Sequence, residues 1–299
     1  MIYNISIFSP ESSYYAEVTK DKFDKILYSY DFYRGLWHFE DIFSILIENF
    51  FEFETELLKE TTRAYVISDF DYNSFFDTRI IANQRLTNLL SSCRMYIDQT
   101  RHIFSNIYRK RSKDINSFFS KEYDTRLGYR FMESLRNLAQ HKYLPVQSLM
   151  FRSDSRHTKD KNSTLHTTSL YITIEFLKDT GFKRDIINEL EEISTEIELK
   201  SMTRDYIGGL CNIHNSIRDY IDRDLEECKN TLEGTIKYLM KYENIVDESN
   251  IMGLELCTMH DDSTIRDIKY ISIDIIDIVS RLKKKYRCHS AHIDRTISN

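Results

Sequence analysis

FMESLRNLAQHKYLPV, residues 131–146, is the stretch on which the reading of this chain turns. Phe131, Leu135, Leu138 and Ala139 recur at helical spacing and, with Leu127, make one apolar stripe. Pro145 disfavours helical geometry at Leu144, so a helix expected over about 125–141 should stop just after His141. Three polar side chains near that end, Arg136, Asn137 and His141, suggest chemistry rather than packing. Arginine is always charged and offers phosphate a planar fork of donors. Histidine can take or give a proton near neutral pH. Held close together, the two could bind and cleave a phosphodiester with no metal.

Working outward, the 299 residues include only 2 prolines and 7 glycines, few breakers for such a length. Upstream, Leu36, Phe39, Phe43, Leu46, Ile47, Phe50, Leu57 and Leu58 predict a long helix over 36–66. A second is expected over about 75–110 and a shorter one over 114–122. With the stripe helix these read as an antiparallel helical bundle, so the fold class is mainly α. Residues 2–8 alternate weakly, as a short strand does. After Pro145 the texture changes. Residues 146–152 and 169–176 alternate apolar and polar types and are expected to pair as a small β-hairpin around a polar loop, 153–164. Helices are expected over 184–200 and 202–242, the latter with a soft point at Gly208-Gly209. The first half of 265–286 fits strand and helix equally. The expected organisation is therefore a helical domain, 1–146, and an α-rich region with a small β element, 147–299, that regulates it or binds a partner.

Charge is unevenly placed. Residues 94–161 hold 15 basic against 7 acidic side chains, a net +8, between flanks of −7 each. Local positive charge beside a phosphodiester site attracts nucleic acid, so Arg130, Lys142, Arg126, Arg109 and Arg111 are candidate RNA contacts. No stretch reaches the roughly 18–20 apolar residues of a membrane span, and the N-terminus has no basic start or long apolar run. The expectation is a cytoplasmic protein without a membrane partner. Five dispersed cysteines argue against a disulfide framework. Cys257-x-x-His260 and Cys288-His289-x-x-His292 contain zinc-type ligands, but their spacer matches no standard pattern. Asp69, Asp71, Asp261 and Asp262 sit at breaks, where acidic pairs form turns. Trp37 and His38 are assigned to packing of the first helix. No metal and no cofactor are expected.

Residues 131–146, with Arg136-Asn137 and His141, resemble the signature of the HEPN superfamily, small helical ribonucleases marked by an Arg, a polar residue and a His a few positions later. The resemblance implies a HEPN-like bundle and a metal-independent endoribonuclease. Arg136 and His141 would be catalytic, and Asn137 would assist. It also implies a homodimer whose two motifs line one cleft, RNA as substrate, and a role as a toxin or antiviral-defence effector with an antitoxin or sensor protein as partner. In such a reaction the substrate's 2′-hydroxyl attacks, proton transfer falls to histidine, and a cation stabilises the charge gathering on the phosphate. Whether His141 serves as acid or base stays open, because the negative end of a helix also suits a cation. Five positions along a helix rotate by about 500°, leaving Arg136 and His141 about 140° apart around the axis. They converge only if the helix unwinds at His141 or if two copies meet. The competing expectation is a catalytically inert HEPN-like scaffold that binds RNA or a protein partner.

Overall fold

Long runs of apolar residues at helical spacing, with few breakers, give this protein very long helices. The computed structural model describes residues 1–9, 14–67, 72–108, 112–158, 161–243, 251–260, 264–286 and 297–298. The chain is mainly helical with two small antiparallel sheets. By its contacts it divides into two compact units. One comprises residues 1–41, 103–109 and 217–287, the other residues 42–102, 110–216 and 288–299. The division expected after Val146 falls within the second unit.

In the first unit, β1 (Ile2–Phe8) lies inside a sheet flanked by β2 (Ala16–Val18) and β6 (Gly253–Met259), with β7 (Ile265–Ser272) at the far edge. Consecutive residues Asn4, Ile5, Ser6 and Ile7 are all buried, so both faces of β1 are covered, not one. The ladder Ile2↔Met259 to Phe8↔Gly253 pairs segments about 250 residues apart in sequence. Pairing of β7 with β6 resolves the ambiguity at 265–286: the first half is strand and α8 (Asp274–Lys285) follows it. Helix α1 (Lys20–Val66) begins well before Leu36, where it was expected. Thr19 Oγ1 accepts the Lys22 N–H at 3.3 Å and caps it, and Phe23, Ile26, Phe32 and Tyr33 are buried along its first turns. Trp37 and His38 lie on α1 but are exposed, not packed as expected. Glu40 accepts two hydrogen bonds from Arg218.

The second unit holds residues 131–146. The helices α2 (Tyr72–Ile107), α3 (Ser112–Thr125) and α4 (Leu127–His141) follow the expected order. Strands β3 (Ser148–Thr158) and β4 (Lys161–Thr173) form the expected hairpin, but it is longer than its apolar alternation. The polar residues assigned to a loop continue the ladder, with Ser153 opposite His166 and Asp154 opposite Leu165. A run of serine, threonine, histidine and charged residues gives no apolar period to read. Helix α5 (Ile174–Asp179) then starts where Thr173 Oγ1 accepts the Phe176 N–H, cutting the expected strand short. The helix expected over 184–200 is also interrupted. It becomes α6 (Arg184–Glu191), a turn, and β5 (Glu196–Glu198), which pairs with β4. Glu198 accepts the Ser201 N–H at 2.6 Å and starts α7 (Leu199–Glu243), which runs unbroken through Gly208-Gly209. Two residues of β8 (Ile297–Ser298) also pair with β4. In this unit Arg204 and Glu54 make a buried bidentate pair at 2.7 and 2.9 Å. Among the described residues no helix is long and apolar enough to cross a membrane.

Candidate functional site

The motif helix ends where the sequence says it should. The Lys142 and Tyr143 N–H groups both reach back to the Leu138 carbonyl, at 2.9 and 3.1 Å, and the chain leaves the helix at Lys142. Because α4 stays helical through His141, the angular separation of about 140° between Arg136 and His141 holds. One chain therefore does not bring them to one face. Arg136 is half-buried, and its Nη1 donates to Gln140 Oε1 at 2.9 Å. Its Nε is buried with no hydrogen-bond partner among the described residues.

Asn137 and His141, one turn apart on α4, are brought together. They line an open cavity of about 260 Å³ with Ser134, Leu138, Lys142 and residues 180–183 of the α5–α6 turn. Two contacts set that turn against α4. Phe182 packs on Phe131 with ring centroids 5.6 Å apart, and Lys142 Nζ donates to the Thr180 carbonyl at 2.9 Å. Gly181 takes φ of +71°, a conformation that disfavours any side chain, and allows the tight turn. Lys183 Nζ donates to the Tyr123 hydroxyl at 3.0 Å. Asn137 and His141 are exposed, and no hydrogen bond or ion pair among the described residues holds either side chain.

The candidate RNA-contact arginines have other partners. Arg126 pairs with Glu122 and, at 2.7 Å, with Asp205, and its pKa rises through both carboxylates against the effect of burial. Asp205 also accepts the Gly128 N–H, at a place where a Cβ on residue 128 would come within 2.9 Å of the Met202 carbonyl. Arg130 pairs with Glu189 at 2.7 Å. Carboxylates distant in sequence thus balance part of the charge that made this stretch read as basic. Of the five candidate contacts, Lys142 alone lines the cavity; Arg109 and Arg111 lie outside the described residues.

Ser134 and Lys183 line the site and were missed. Ser134 had a local signal: Ser134, Asn137, Leu138 and His141 follow the spacing i, i+3, i+4, i+7 of one helix face. Lys183 had none, since it comes from a turn after two intervening strands. Among the described residues no three histidine, cysteine or acidic side chains gather as a metal site. Cys257 is buried in β6, while Cys288, His289, His292, Asp69, Asp71, Asp261 and Asp262 lie outside the described residues. No family model, no curated protein and no solved structure matches this chain.

Proposed function

We propose that this protein is a metal-independent endoribonuclease of HEPN type, with a HEPN-like helical bundle around α4. One observation carries the reading: an exposed histidine and asparagine share a cavity with two lysines, at the end of the helix that bears Arg136. A histidine with no competing partner is free to move protons. Nearby cations favour the phosphate on which negative charge builds.

Arg136 faces about 140° away, so the arrangement that unites the groups is two copies of the chain, His141 of one copy facing Arg136 of the other. The substrate's 2′-hydroxyl attacks the adjacent phosphorus and the 5′-oxygen leaves. His141 transfers a proton in that exchange, Arg136 holds the non-bridging oxygens, and Asn137 orients the phosphate. In this reading the protein acts in the cytoplasm as a toxin or antiviral-defence effector, held in check by an antitoxin or sensor.

The test is incubation of the full chain with total RNA in excess EDTA. Wild type should cut, and Arg136→Ala and His141→Ala should each lower the rate by about 100-fold or more. Cleavage that needs a divalent cation, or that survives His141→Ala, rejects the reading. A second reading, an inert HEPN-like scaffold that binds RNA or a protein, draws support from the pairing of Arg126 and Arg130 with carboxylates. It predicts RNA retention without cutting in the same experiment.

A further inference from the structure

The Asn137/His141 cavity has a second property, independent of the proton chemistry. Its lining includes two lysines and no carboxylate. Lys142 donates to a backbone carbonyl and Lys183 to a phenol, both neutral, and no ion pair among the described residues compensates either charge. Two other cavities differ. One, beside Arg94 and Arg101, also holds Asp124 and Glu133; the other, beside Lys22 and Lys25, holds Glu227. Ser134 adds an observation of another kind. It is 7% exposed and lines the cavity, and its buried Oγ has no hydrogen-bond partner among the described residues. A buried hydroxyl left unpaired is costly, and a ligand oxygen would satisfy it. Lys183 also precedes α6 as its N-cap residue, and no side chain caps that end. Free N–H groups in the first turn of a helix favour an anion.

We propose that this cavity is an anion subsite for one phosphate-bearing nucleotide of an RNA strand, with Lys142 and Lys183 holding the phosphate and Ser134 and Asn137 hydrogen-bonding to the nucleotide. Ser134 and Lys183 thereby become binding residues. A volume of about 260 Å³ lies below the usual range for larger ligands, so it takes one nucleotide and not a folded RNA element. That the strand is RNA rests on the ribonuclease reading; that the site takes a phosphate does not.

The experiment titrates full-length protein with a fluorescein-labelled single-stranded oligoribonucleotide, 2′-O-methylated throughout so that it cannot be cut. Binding is followed by polarisation at several salt concentrations. Lys183→Ala and Lys142→Ala should each weaken binding and lower the slope of log affinity against log salt by about one. Ser134→Ala should weaken binding with the slope unchanged, because it removes no charge. Lys178→Ala, a lysine paired with Glu191 outside the cavity, is the control and should change neither. Inorganic phosphate should displace the oligonucleotide from wild type at lower concentration than potassium chloride of equal ionic strength. Equal affinity and slope in wild type, Lys142→Ala and Lys183→Ala overturns the subsite even if the protein cuts RNA. Binding that depends on both lysines, in a protein that cuts nothing, keeps the subsite and removes the ribonuclease reading.

Discussion

Asn83 holds Val146 by both of its backbone polar groups. Its Nδ2 donates to the Val146 carbonyl at 3.0 Å, and its Oδ1 accepts the Val146 N–H at 2.8 Å. Both residues are buried. The side-chain amide of α2 thus takes the place of a strand partner for the chain leaving α4. It fixes the exit path five residues beyond His141, and with it the end of the helix that bears the candidate site.

Asn83→Ala should therefore be among the more costly polar substitutions in this unit. It strands a buried N–H and a buried carbonyl, at about 1–3 kcal/mol each. Asn83→Asp keeps the acceptor and loses the donor, so one of the two bonds should survive. Urea unfolding followed by circular dichroism measures both. The expected result is a lower midpoint with an unchanged m-value. A loss below about 1 kcal/mol in Asn83→Ala would show that water replaces the side chain.

Stability should fall on the alkaline side. Burial raises the pKa of Tyr206, Tyr129 and the Cys93 thiol, and the negative charge of nearby Glu133 raises each further. Raised values mean that the fold favours the protonated, neutral forms. The unfolded chain releases these protons at the ordinary values, about 8.5 for the thiol and about 10 for the phenols, while the folded chain still holds them. The associated stability is fully present below about pH 8.5 and is lost as pH climbs beyond it. The urea midpoint measured from pH 7 to 11 should stay level and then drop. Cys93→Ala should reduce the drop between about pH 9 and 10, where thiols contribute ahead of the phenols, and the Cys228 and Cys257 thiols, also raised by burial, keep the remainder; an identical profile in wild type and Cys93→Ala counts against a Cys93 contribution.

Mixing two inactive variants tests the composite site. If a site takes Arg136 from one copy and His141 from the other, a dimer of Arg136→Ala with His141→Ala contains one intact site and one lacking both groups. Cleavage should return on mixing, to at most about half of the wild-type rate per dimer, while each variant alone stays inactive. Failure to recover, with mixed dimers demonstrated by differential tagging, places both groups in one subunit or removes the mechanism.

The sequence by itself determined the features that depend on neighbours along the chain. The helical class, the order of α2, α3 and α4, the termination of α4 at His141, and the hairpin follow from apolar period and from Pro145. Where local and distant forces compete, only tertiary structure decided. Residues 265–272 are strand because β6 lies beside them, and 192–195 break a helix because β5 reaches β4. The distant partners of Arg126 and Arg130, Asp205 and Glu189, sit on later elements, as does Lys183, which joins the cavity beside His141. Hydrophobic period is set within a few residues and can be read one turn at a time. Salt bridges, strand pairs and cavities join groups tens to hundreds of residues apart, and their proximity is a product of packing that no local pattern encodes.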